Sequence, residues 1–159
     1  MSLLDIGTPA PAFTLMNADG NPISLKDHLG KWVVIYFYPK AMTPGCTIQA
    51  CGLRDSYAEL AKHDAVVFGI SPDEPTLLKK FVHNEHLNFT LLSDSTHATA
   101  ELYGVWQQKS MYGKTYMGVA RSTYVISPSG HVAQVWPNVK PETHAQAILD
   151  WFEHKPSEL

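Results

Sequence analysis

Cysteine is scarce in this chain: two of 159 residues, Cys46 and Cys51. A disulfide-stapled secreted scaffold uses more, and a domain of this length does not need staples. Arginine is as scarce, with Arg54 and Arg121 set against ten lysines. A net charge of -3 leaves no basic field to attract nucleic acid. Long apolar runs are missing too. The longest, residues 32–38, has seven residues, where a membrane span needs about 20. The opening Met1-Ser2-Leu3-Leu4-Asp5 has no basic region, apolar core or cleavage site, so no signal peptide is expected. The expected setting is the cytoplasm, with thiols at rest reduced. No repeat, low-complexity tract or linker divides the chain, and 45% of it is hydrophobic, enough for a core. One domain over residues 1–159 is expected.

What is present alternates between two patterns. Residues 5–22 hold Pro, Gly and Asn with short apolar fragments, and read as extended pieces and turns. Residues 32–38 are β-branched and aromatic without alternation, the mark of a strand buried on both faces. Pro39 ends that strand. Thr43-Pro44 then offers an N-cap followed by proline at the first helical position, and Ile48, Leu53, Tyr57 and Leu60 carry a helix to about Lys62. A second buried strand is predicted over 65–71 and a helix from Leu77 toward Leu87. A short strand over 89–92 and a short helix over 98–103 follow. Ser127-Pro128-Ser129-Gly130 turns a hairpin between strands 122–127 and 131–136, and residues 143–152 form a last helix. Crossover helices imply parallel neighbours and the hairpin adds an antiparallel pair. The expected class is α/β, a central mixed sheet flanked by helices. In such sheets the site lies beyond the carboxyl ends of the strands, where residues 39–46 fall.

Cys46 sits in the first turn of the helix that Thr43 begins. Unpaired backbone N–H groups and the positive end of the helix dipole stabilise an anion there, and the thiolate is the reactive form of cysteine. Pro44 and Gly45 carry nothing bulky to cover the sulfur. A small buried hydrophobe is the commoner fate of a cysteine, but this position favours reactivity. Cys51 lies five residues on, about 7.5 Å along a helix axis and about 140° around it. Disulfide geometry needs Cα atoms within about 6.8 Å. If the two thiols pair, the helix must first unwind, and Gly52 lowers its resistance. Cys46 as attacking thiolate, with Cys51 resolving its sulfenic acid, is a coherent division of roles.

The run Pro39-Lys40-Ala41-Met42-Thr43-Pro44-Gly45-Cys46 resembles the peroxiredoxin pattern of proline, three residues, threonine, two residues and cysteine. With a second cysteine five positions on, Thr43-Pro44-Gly45-Cys46-Thr47 is similar to the bacterioferritin-comigratory (Q-type) subfamily. Gly7-Thr8-Pro9-Ala10-Pro11-Ala12-Phe13 and Arg121-Ser122-Thr123-Tyr124-Val125-Ile126 extend the likeness over nearly the whole chain. The resemblance implies a thioredoxin-like fold and reduction of hydrogen peroxide or organic hydroperoxides without metal or organic cofactor. It implies Cys46 as peroxidatic and Cys51 as resolving cysteine, with thioredoxin or glutaredoxin as reductant and a monomer as the usual state. Arg121 matches the family's active-site arginine, and Thr43 and Pro39 complete the pocket. Chemistry agrees: Arg121 stays charged and can polarise peroxide oxygens, the Thr43 hydroxyl can donate and accept, and Pro39 would shield the sulfur. Two positions depart from the subfamily: Ala41-Met42, where an acidic residue commonly follows the lysine, and Gln49, where relatives often carry Glu. No catalytic role is assigned to Gln49.

Other candidates read as structure. His83 and His86, three apart on a helix, lack a third metal ligand. Arg54 is expected to make a structural ion pair or hydrogen bonds, and residues 107–118 read as a loop beside the pocket or as plain packing. Two rival functions stand beside the peroxidase. One is a dithiol–disulfide oxidoreductase, which would carry Cys-x-x-Cys at the helix start. The other is a peroxide-sensing switch that exposes a binding surface when its helix unwinds.

Overall fold

Strand β3 (Trp32–Phe37) is buried along its whole length because both of its faces are covered. In the computed structural model, which describes residues 3–155, Val34 and Tyr36 meet Ala50, Leu53, Leu78 and Phe81 on one side. Val33, Ile35 and Phe37 meet Phe13, Tyr103 and Tyr124 on the other. Two separate cores explain why the run does not alternate.

Around β3 the chain builds β1 (Thr14–Asn17), β2 (Pro22–Ser24) and a 3₁₀ turn (Leu25–His28), then α1 (Pro44–Ala61), β4 (Ala65–Ser71), α2 (Pro75–Glu85) and β5 (Thr90–Ser93). There follow α3 (Ala98–Leu102), β6 (Trp106–Met111), β7 (Lys114–Val119), β8 (Ser122–Ile126), β9 (Val132–Trp136) and α4 (His144–His154). The main sheet runs β2-β1-β5-β4-β3-β8-β9. β3 pairs parallel to β4, from Trp32 opposite Ala65 to Phe37 opposite Ile70, and β4 parallel to β5; the remaining pairs are antiparallel. This is the mixed, helix-flanked sheet expected, with a thioredoxin-like fold. Buried residues of α1, α2 and α4 share one core, and those of α3 lie in the other.

Two segments differ from the sequence reading. Part of residues 5–22 pairs as the β1–β2 hairpin, its turn tied by Asn17 Oδ1, which accepts the N–H groups of Asp19 and Asn21 at 3.0 Å each. Residues 107–118, expected as a loop or plain packing, belong to a second two-stranded sheet, β6–β7. Its turn is Tyr112-Gly113, with φ of 52° and 76°, the two left-handed residues that a type I′ hairpin needs. His86 leaves α2 as a left-handed C-cap (φ 51°), which takes it out of the helical run with His83. Among the described residues no group of three or more His, Cys, Asp or Glu could hold a metal, and no helix is long and apolar enough to cross a membrane. Met1 and Ser2, part of the segment searched for a leader, lie outside the described residues.

Candidate active site

The end of β3 and the start of α1 place Cys46. The intervening loop is held from below: Ala41 N–H donates to Asp73 Oδ2 at 2.7 Å, and the same carboxylate accepts from Ser71 Oγ at 2.8 Å. Asp73, on the connection after β4, anchors the loop; in the sequence it reads only as part of the Ser71-Pro72-Asp73 run that closes the strand. Ala41 is buried, while Met42 takes a left-handed conformation (φ 66°) with its side chain exposed. The departure at Ala41-Met42 thus places one residue inside the fold and one on the rim.

Thr43 occupies the N-cap position, but its side chain does not cap the helix. Its hydroxyl donates instead to Lys40 O at 2.8 Å, which commits the proton and leaves the oxygen as an acceptor. The first intrahelical bond runs from Thr47 N–H to Thr43 O. Gly45 and Cys46 therefore keep N–H groups with no intrahelical partner, in the turn where the helix dipole favours negative charge. Pro39 is half-buried at the end of β3.

The Cys46 sulfur is more enclosed than the small residues beside it suggested, with the residue 1% exposed. Arg121, between β7 and β8, donates to that sulfur from Nη2 at 3.3 Å. Gly45 makes the approach possible: a Cβ there would lie 3.3 Å from Arg121 Nη2 and 3.7 Å from Pro141 Cγ. Its lack of a side chain leaves room for the guanidinium. Arg121 O also accepts Val139 N–H at 2.9 Å, which ties the arginine's backbone to the β9–α4 connection.

Gln49, buried one turn after Cys46, belongs to the same cluster, a position that its residue type alone did not reveal. Its Oε1 accepts from Arg121 Nη1 at 2.5 Å, and its Nε2 lies 3.1 Å from His144 Nδ1. His144 Nε2 in turn lies 2.7 Å from Thr123 Oγ1. Burial, helped by the Arg121 charge, pushes the His144 pKa down to about 3, so the ring is neutral at ordinary pH. From the hairpin that the sequence left irregular, half-buried Lys109 has its pKa lowered by burial and then by Arg121.

Cys51 looks elsewhere. It is half-buried on α1, with Sγ 3.9 Å from Glu85 Oε2. Burial raises its pKa; Arg54 works against that rise and Glu85 adds to it, so the group rests as a thiol. Arg54 does not reach Cys46. It donates from Nη1 to Glu85 O at 2.7 Å and from Nε to Asp55 Oδ1 at 2.9 Å, pinning α1 to the end of α2. The structural reading of Arg54 fits this geometry. Both cysteines are free.

Such a site offers a sulfur at a helix start, a fixed cation against it and a second thiol further along the same helix. Residues 6–135 match the AhpC/TSA family. The chain is 52% identical over 152 residues to a putative Bcp peroxiredoxin of Haemophilus influenzae, covering 96% of this chain and 98% of that one. To the Bcp peroxiredoxin of Escherichia coli K12 it is 47% identical over 153 residues, with the same coverage. Among solved structures, a Xanthomonas campestris bacterioferritin comigratory protein aligns with a TM-score of 0.88 at 35% identity, covering 94% of this chain and 98% of the other. The peroxidoxin BcpB of Mycobacterium tuberculosis aligns at 0.86 and 34%, covering 97% and 99%. Fold and relatives together define a thiol-dependent peroxidase, an oxidoreductase that acts on peroxides and is recycled by a thiol reductant. Within that class the chain belongs to the AhpC/TSA family, among the peroxiredoxins of the bacterioferritin-comigratory, Q-type kind.

Proposed function

We propose that Cys46 is the peroxidatic cysteine, Cys51 the resolving cysteine, and Arg121, Thr43 and Pro39 the pocket around the reacting sulfur. The reading is carried by one observation, the Arg121 Nη2 contact at 3.3 Å with a sulfur in the first turn of α1. In the first step the Cys46 thiolate attacks the nearer oxygen of ROOH. An S–O bond forms, the O–O bond breaks, sulfur is oxidised to sulfenic acid, and the leaving alkoxide takes a proton to give ROH. Arg121 stabilises charge that shifts onto the leaving oxygen. With its own proton on Lys40 O, Thr43 Oγ1 accepts the peroxide O–H and orients it.

The second step joins the Cys51 sulfur to that of the Cys46 sulfenic acid and releases water. α1 must open for this, since the two residues share one regular helix. A dithiol reductant, thioredoxin or glutaredoxin, then takes the disulfide back to two thiols. The substrates we assign are hydrogen peroxide and organic hydroperoxides; the Xanthomonas relative is described for alkyl peroxide reduction. No resident metal or organic cofactor is part of this cycle. We assign the whole chain to one domain acting as a cytoplasmic monomer.

Stopped-flow oxidation by hydrogen peroxide and by an alkyl hydroperoxide tests the assignment. Cys46→Ser should abolish peroxide reduction. Cys51→Ser should leave one oxidation event and stop turnover with thioredoxin. Peroxide consumption by Cys46→Ser, or normal turnover by Cys51→Ser, overturns the corresponding role.

A further inference from the structure

His144 is a titratable group buried to 3% exposure that the peroxidase cycle does not use. It is the first residue of α4, 95 positions from its partner Gln49, with its ring against that of Tyr36 at 5.6 Å between centroids. Its hydrogen bonds form part of a directed line whose sense is set at the other end. Arginine carries only donors, so the Gln49 atom facing Arg121 must be the carbonyl oxygen. The Gln49 amide therefore presents its NH₂ to His144, and Nδ1 must accept. A neutral imidazole that accepts at Nδ1 carries its proton on Nε2, which donates to Thr123 Oγ1. A protonated ring would set N–H against N–H and turn the amide around, placing NH₂ groups against the guanidinium.

We propose that His144 is a positioning residue for the peroxidatic step: by accepting from Gln49 it fixes the amide orientation that holds Arg121 against the Cys46 sulfur. The proposal rests on the assignment of Cys46 and Arg121 given above. Every residue of the line has a distinct part. Thr123, fully buried on β8, accepts the Nε2 proton that this tautomer carries. His144 sets the amide, Gln49 holds one arm of the guanidinium, and Arg121 offers the other arm to sulfur. The burial that keeps the pKa of His144 near 3 keeps the line in one sense across the physiological range.

The test is single-turnover oxidation of the full chain by hydrogen peroxide. His144→Asn keeps an acceptor near the Nδ1 position and should react within about twofold of wild type, while His144→Phe keeps only ring volume. The Phe variant should be slowed about tenfold, the effect of one lost net hydrogen bond. His144→Gln, whose longer side chain reaches Thr123 but offers Gln49 no acceptor in place, should be slowed like Phe and serves if the Phe variant does not fold. His144→Phe or His144→Gln reacting at the wild-type rate overturns the proposal, and so does an Asn variant as slow as either, which is what a merely structural histidine would give. Imidazole nitrogen NMR adds a readout independent of rate: an Nε2-protonated ring is expected, and an Nδ1-protonated ring overturns the orientation. Cys46→Ser run in parallel separates the two levels. Oxidation that persists without Cys46 defeats the peroxidase assignment itself, whereas a silent Cys46→Ser beside a fast His144→Phe defeats only the role of His144.

Discussion

The sulfurs of Cys46 and Cys51 sit on one unbroken helix and face different neighbours, Arg121 in one case and Glu85 in the other. Bringing them together means undoing about one and a half turns of α1. Far-UV circular dichroism should therefore lose helical signal of that order when the disulfide forms and regain it on reduction. Unchanged helicity in a protein verified by mass spectrometry to contain the Cys46–Cys51 bond would contradict the geometry.

Arg121 is the nearest cation on the Cys46 sulfur, and Gly45 leaves the space that it enters. Removing a donor that stabilises developing charge in an enclosed site costs roughly 10²–10³ in rate. Arg121→Met should slow oxidation by hydrogen peroxide by about that factor at neutral pH. A variant with the wild-type rate would remove Arg121 from the mechanism.

Arg54 should behave in the opposite way. It bonds the Glu85 carbonyl at the end of α2, and its own carbonyl accepts from Asn88 at 3.1 Å. Its partly exposed side chain adds stability of about 1 kcal/mol rather than chemistry. Arg54→Met should lower the melting temperature by about 2–4 °C and leave the rate of Cys46 oxidation within about twofold. A large drop in that rate at unchanged stability would reassign Arg54 to the site.

The strand over 65–71 was legible because its burial is written in composition, a β-branched run closed by Ser71-Pro72. The β6–β7 hairpin was not. Its strands are polar and largely exposed, and the turn uses Tyr112 where Asn or Asp would announce a left-handed residue. At the site, Cys46 and Arg121 stand inside short motifs that spell out their chemistry. Gln49 and His144 do not, and Thr123, though it lies in the Arg121 run, has no role spelled out there; each acquires meaning only where α1, α4 and β8 meet. The α4 pattern points Ala147, Ile148 and Trp151 inward; of these Ile148 is buried and the other two half-buried, while Phe152, which the pattern did not single out, is buried as well. A histidine at its first position gave no sign of joining them one turn earlier.

The same burial makes stability depend on pH in a direction that can be stated. In the unfolded chain His144 takes up a proton near pH 6.5; in the folded protein it does so only near pH 3. Between these values the unfolded state binds more protons, so stability rises with pH and is lost as pH falls through the window. At pH 5 the gap to pH 6.5 corresponds to about 2 kcal/mol, or about 4–8 °C in melting temperature for a chain of this size. Wild type should thus lose that much between pH 7 and pH 5 beyond whatever His144→Asn loses, because asparagine has no proton to take up. Parallel melting curves for the two proteins over that interval would show that the buried imidazole titrates normally. A neutral acceptor at Nδ1, on which the Gln49–Arg121 orientation depends, would then no longer hold through this range.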